Sequence, residues 1–459
     1  MALVSVNPAT ATVIARHEED GEDAVERKLA DARAAMLTWG RTDPDERGAI
    51  LADVARRVRA QRAELSRLVA TEMGKPLAQA EQEVDRFAQR CEYFASETGR
   101  LLAPERLELN GRPHEIRFEP LGPALGIMPW NFPIGLASRW LVGALAAGNS
   151  VLLKHASNVT LCAGALHELF LQSGVPADAF HVLRVPGARM GPIVGDPRVA
   201  SVSVTGSAET GAIVGEIAGR ALKKTVMELG GSDPFIVLRD ADLDAAASAA
   251  ARSRLGNSGQ TCTAAKRIIV DAAVAADFEE RLIERFARVQ VGDPLAPGVD
   301  VGPLVSRRAV EDLAAQVDAT VRQGGRVAYR AADVPTGGFF FPPTVLTQIE
   351  PHMVAAQEET FGPVAAVMRA PDDAAAIELA NHSSYGLAAN VWTADPERAR
   401  SLAVALEVGM VGINGPVAAD PRLPFGGVKR SGYGREMSGH GLRELTNVKT
   451  VALEAPAEA

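Results

Sequence analysis

The chain has 459 residues, enough for two or three domains with sizeable cores. An apolar share of 47% and a charged share of 23% are those of an ordinary soluble globular protein. A net charge of −9 argues against nucleic acid or an anionic membrane surface as partner, and three scattered cysteines without zinc spacing argue against a disulfide framework or a bound metal.

Residues 1–15 lack a basic stretch followed by an apolar core, and no apolar run reaches spanning length, so a cytoplasmic protein in a reducing compartment is expected. The first hundred residues read as helical. Val25, Leu29, Ala32, Met36 and Trp39 line one helix face, and Asp43-Pro44 supplies an N-cap followed by proline at the first helical position. Ile50, Leu51, Val54, Val58, Leu65 and Leu68 continue the apolar face, and a further helix is predicted from Pro76 to about Glu97. Asn110-Gly111, flanked by 107–109 and 114–118, is a strong hairpin signal.

From about residue 122 short apolar runs alternate with helical stretches. Strands are predicted at 124–128, 150–153, 180–185, 200–204, 225–227 and 235–238. A second series follows: a strand at 267–270, helices at 275–289 and 307–322, and strands at 364–367, 390–392 and 410–413. This alternation predicts two α/β units with mostly parallel sheets, joined near 231–234, and a frayed tail at 454–459.

Three residues in glycine- or proline-bounded loops carry reactive chemistry. Cys262 follows Asn257-Ser258-Gly259-Gln260-Thr261, Glu228 stands in Met227-Glu228-Leu229-Gly230-Gly231, and Asn131 in Pro129-Trp130-Asn131-Phe132-Pro133. Taken singly, each has a plain structural reading: a small buried hydrophobe, a cap or surface acid, a turn residue. Each lies at the end of an apolar strand-like run, where α/β sheets bind ligands at the carboxyl ends of their strands. A thiol, an acid and an amide so placed can carry covalent catalysis on a carbonyl.

The motifs resemble those of the aldehyde dehydrogenase superfamily over nearly the whole chain. Its landmarks are the 129–133 and 228–231 segments, Thr205-Gly206-Ser207, Gly259–Cys262, Glu359-Thr360-Phe361-Gly362-Pro363, Asn414-Gly415, Pro424-Phe425-Gly426-Gly427 and Ser431-Gly432-Tyr433-Gly434-Arg435-Glu436. The resemblance implies two doubly wound α/β domains with a small β oligomerisation arm. A Rossmann-like cofactor domain would span 1–106 and 123–232, a catalytic domain 233–430, and the arm 107–122 and 431–459. It implies Cys262 as nucleophile, Asn131 with the Cys262 backbone N–H as oxyanion donors, and Glu228 as the group that activates water. An acid at 228 argues against the coenzyme-A-acylating branch.

Cofactor contacts follow from the same resemblance. Trp130, Phe361 and Glu359 would face the nicotinamide riboside, Lys154 the adenosine ribose, and Gly206-Ser207, opening a helix, the pyrophosphate. NAD-preferring relatives often carry Glu where this chain has Ser157, so NADP is the expected cofactor, with NAD possible. Ser157 could also simply cap the following helix.

The chain looks most like the short bacterial succinate-semialdehyde dehydrogenases, which place an arginine at the position of Arg139 on the substrate carboxylate; a structural salt bridge is the alternative. Gly256 and Ala419 depart from that pattern and widen the pocket. A medium-chain or aromatic aldehyde therefore competes as substrate, and a non-catalytic structural role is the reading from another class. The hairpin's Leu107, Leu109, Ile116 and Phe118 need packing partners, and the run at 448–453 can supply a strand that the resemblance places across a subunit interface. A homodimer or homotetramer is expected.

Overall fold

The computed structural model describes residues 2–417 and 419–453; the tail expected at 454–459 lies outside them. Five of the predicted strands meet in a six-stranded sheet. Its order is Gly432–Tyr433, Lys224–Glu228, Ser201–Thr205, Ala124–Met128, Val151–His155, Phe180–Val182. All neighbours are parallel except the first pair. Helices cover both faces: Trp140, Phe87, Phe94 and Phe170 pack on one, and Leu29, Ile193 and Val214 on the other. Burial on both faces is why these strands read as continuous apolar runs.

The strand predicted at 235–238 belongs to a second sheet. Its order is Arg326–Arg330, Thr344–Thr347, Val364–Ala370, Ala265–Asp271, Asp233–Val237, Ala388–Trp392, Met410–Ile413, parallel except at the first pair. Helices Leu243–Leu255, Ala275–Ala287 and Arg307–Arg322 flank it.

The N-terminal hundred residues differ from expectation. They open with an antiparallel hairpin, Ala2–Asn7 and Thr12–Glu18, before any helix. The first helix ends at Ala35, so Trp39 is buried from a short 3-10 turn instead. The long apolar face divides at Gln61 into Pro44–Ala60 and Arg62–Met73, because Gln61 leaves helical geometry. Asp43 caps the first of these by accepting from the Asp45 N–H, as predicted.

Asn110 and Gly111 both have positive φ, as a tight hairpin between Glu105–Leu109 and Arg112–Pro120 requires. The C-terminal strand Thr446–Ala452 pairs with Arg112–Pro120 of its own chain. It thus supplies the extra strand expected for the hairpin and forms the outer edge of a three-stranded arm.

Candidate active site

Asn131, Ser157, Gly206 and Glu228 all stand at the carboxyl ends of parallel strands in the first sheet or just beyond them. Cys262 sits differently from expectation and shares its placement with Glu359. Each precedes a strand of the second sheet, Ala265–Asp271 and Val364–Ala370. The site thus lies between the carboxyl ends of one sheet and the amino ends of the other.

The loop carrying Cys262 is conformationally demanding. Asn257, Ser258 and Gly259 are three consecutive left-handed residues, and a side chain at 259 would run into the Gly362 carbonyl. Such geometry costs a non-glycine residue about 1 kcal/mol and persists only if neighbours hold it. Here they do. Asn257 Nδ2 donates to the Asn131 carbonyl at 2.7 Å, the Ser258 hydroxyl bonds Gly302, and Gln260 Oε1 accepts from the Val305 N–H at 2.9 Å. Arg254, fully enclosed, clamps the carbonyls of Gly259 at 2.9 Å and Thr360 at 3.0 Å.

Cys262 itself is half-buried against Phe425, Leu387 and Met437, whereas Cys91 and Cys162 are wholly buried. Desolvation pushes its thiol up to about 11, opposed by the positive charges of Lys266 and Arg139. Asn131 gives one side-chain N–H to the Gln260 carbonyl at 3.0 Å, leaving the other. The backbone N–H of Cys262 has no acceptor among the described residues. Two free donors beside one thiol can receive a developing oxyanion.

Glu228 is buried, and neither carboxylate oxygen has a partner. Its pKa lies well above the carboxylate range because of burial first and the nearby Glu436 second, with Arg139 and Arg435 opposing. Gly426 leaves it room: a Cβ there would press on Glu228 Oε1. Arg139 Nε donates to Glu436, its guanidinium lies 4.0 Å from the Phe425 ring centre, and its Nη2 is unpaired. The salt-bridge alternative for Arg139 is therefore realised, while one donor is left over.

Among the residues expected to hold a dinucleotide, Trp130 meets Phe361 edge-on at 5.7 Å. Lys154, the penultimate residue of its strand, is buried with no acidic partner among the described residues, and desolvation lowers its pKa. His155 is pushed down to about 4 by burial and is neutral; its Nε2–H donates to the Pro133 carbonyl at 2.6 Å, which fixes the 129–133 loop. Ser207 caps helix Ala208–Arg220 by accepting from Thr210, and no atom lies where a Cβ on Gly206 would go. A buried amine, an open helix N-terminus, an aromatic pair and the Glu359 carboxylate suit a dinucleotide. Ser157 is not the helix cap: helix Thr160–Gln172 starts at Val159 without a side-chain cap from its own chain neighbours.

A cavity of about 570 Å³ borders the thiol loop, lined by Phe132, Gly256, Asn257, Thr261, Thr263 and Asn390 among others. Nothing fills the space beside Gly256, so the expected widening is present, whereas Ala419 is exposed. Sequence reading missed Arg254, Lys266 and Asn257. For Arg254 and Lys266 the only signal was a charge beside small and apolar residues, and Asn257 gave none.

The family model described as "Aldehyde dehydrogenase family" matches residues 2–451. The succinate semialdehyde dehydrogenase [NAD(P)+] of Escherichia coli is 42% identical, covering 98% of this chain and 97% of its own. The succinate-semialdehyde dehydrogenase [NADP(+)] 1 of Mycobacterium tuberculosis is 41% identical, covering 98% and 99%. A crystal structure of succinic semialdehyde dehydrogenase from Streptococcus pyogenes in complex with NADP+ superposes with a TM-score of 0.96 at 33% identity, over 99% of this chain and 100% of that one.

Proposed function

Because the chain belongs to the aldehyde dehydrogenase family, we propose that it oxidises succinate semialdehyde to succinate, with NADP as preferred acceptor. The observation that carries this reading is the whole-length likeness to relatives that bear that activity in their names. Cys262, as thiolate, attacks the aldehyde carbon; its backbone N–H and the spare N–H of Asn131 receive the oxygen. Losing one such donor typically lowers the rate about 10²–10³-fold. The dinucleotide, when bound, accepts the hydride. Glu228 then takes a proton from water, which attacks the thioester carbonyl; the Cys262 thiolate leaves and the acid is released.

Arg139 supports an anionic substrate, because its unpaired Nη2 lies with the Phe425 ring that packs on Cys262. Lys154 and Ser157 are the pair we assign to the ribose carrying the 2′-phosphate. Residues 1–106 with 123–232, and 233–430, serve as the cofactor and catalytic domains. The arm formed by 107–122 and 431–459 exposes Leu107, Leu109 and Val448, which suits burial against a second copy. Light scattering at micromolar concentration should give a dimer or tetramer; a monomer would remove that role from the arm.

A second reading, oxidation of a bulkier medium-chain or aromatic aldehyde, is favoured by the open space at Gly256. A panel of aldehydes against both dinucleotides separates the two. The proposal expects kcat/KM for succinate semialdehyde to exceed that for an uncharged aldehyde of equal length by at least about tenfold, the worth of one good charge-assisted contact. Equal efficiency across the panel would favour the second reading.

A further inference from the structure

Lys266 is a buried charge with no part in the scheme above. It is the second residue of strand Ala265–Asp271 and fully enclosed. Its ammonium has three donors, and three acceptors meet it: the Thr261 carbonyl at 3.0 Å, the Cys262 carbonyl at 2.6 Å and the Glu359 carboxylate at 2.9 Å. Glu359 also accepts from the Gly231 N–H at 3.2 Å. One amine thus joins the thiol loop to the carboxylate, and the carboxylate joins the turn that follows Glu228.

We propose that Lys266 is a positioning residue that couples dinucleotide occupancy at Glu359 to the ionisation of Cys262. The inference rests on reading Glu359 as the acceptor of ribose hydroxyls. Those hydroxyls draw on the carboxylate whose Oε1 Lys266 holds. As the carboxylate is drawn toward the ribose, it cancels less of the lysine's field at the sulfur. Four charged groups bear on that sulfur: Lys266 and Arg139 favour the thiolate, Asp233 and Glu359 oppose it. Arg139 is already committed to Glu436, and Asp233 accepts from the Ala388 N–H. The Lys266–Glu359 pair is the one a ribose can rearrange.

The test follows carboxamidomethylation of Cys262 by iodoacetamide across pH, with and without saturating NADP, in the intact enzyme. The thiolate displaces iodide, an S–C bond forms, and the thiol proton goes to buffer. Cys91 and Cys162 are wholly buried and do not compete. In the parent, NADP should lower the apparent pKa of alkylation by about one unit, a tenfold rise in neutral-pH rate. Lys266→Met should raise the apparent pKa without NADP and abolish the response, with Lys266→Arg restoring part of it.

Should Lys266→Met fail to fold, Glu359→Gln carries the same test. It leaves the lysine uncompensated, so the apparent pKa should fall without NADP and then respond no further. An unchanged response in Lys266→Met, an unmoved pKa in Glu359→Gln, or no response in the parent overturns the proposal. The NADP Kd of Glu359→Gln separates the failures. A Kd equal to the parent's sinks the ribose reading, whereas a weakened Kd with an unmoved pKa sinks only the coupling.

Discussion

Ser157 concentrates the choice between two dinucleotides in one side chain. Glu at this position would repel a 2′-phosphate while accepting from a free 2′-OH. Ser157→Glu should therefore shift the kcat/KM ratio toward NAD by roughly ten- to a hundredfold, the worth of about 1–3 kcal/mol for a like-charge pair in a partly screened groove. An unmoved ratio would take residue 157 away from the ribose. Asp233 offers a test of a different kind. Burial raises its carboxyl from 3.8 to about 7. The fold thus favours its protonated form, and that contribution, at most about 4 kcal/mol, is full below about pH 4 and lost as pH rises through about 7. Asp233→Asn keeps the oxygen that accepts from Ala388 but cannot ionise. Its Tm should fall less than the parent's between pH 5 and 8, and parallel melting profiles would contradict this. Cys262, Glu228 and Asn131 were legible because few residue types carry their chemistry and their loops are marked by glycine and proline. Arg254 and Lys266 were not, because a buried cation acts through carbonyls that only the folded chain brings to it.

The helix Thr160–Gln172, expected only as a helix after Ser157, is fastened in a way the sequence did not show. Its start is held by Glu72, from helix Arg62–Met73. The two carboxylate oxygens accept from the Leu161 and Cys162 N–H groups, both at 2.8 Å, and the Ser5 hydroxyl donates to one of them at 2.6 Å. An acid at a helix N-terminus is favoured by the dipole as well as by the bonds. Glu72→Gln loses one acceptor and the charge, and should cost about 1–3 kcal/mol. A urea midpoint equal to the parent's would show that the contact carries no stability. Ser5 also explains why the first hairpin matters, yet the hairpin was invisible. Thr12–Glu18 is buried on neither side consistently, so no period of two appears in its sequence. The Asn110-Gly111 hairpin was visible because its turn demands positive φ from two residues that tolerate it.

Across the molecule, the alternation of strand and helix was enough to read two parallel sheets, since their inner strands are buried on both faces. Their mutual placement was not legible. The rule that ligands bind at carboxyl ends of strands describes only the first sheet, and the thiol comes from the amino ends of the second. The run that supplies the arm's third strand was legible, but its antiparallel register on Arg112–Pro120 was not, because register across a turn can be read locally and long-range pairing cannot. The central claim is that Cys262 forms a thioester which Glu228 releases. Rapid mixing of Glu228→Gln with succinate semialdehyde and excess NADP addresses it most directly, with mass spectrometry of the quenched protein. A burst of about one NADPH per site is expected, followed by turnover at least about 10²-fold below the parent's, with succinyl carried on Cys262. Steady turnover at the parent's rate, or a burst that leaves Cys262 unmodified, would contradict it.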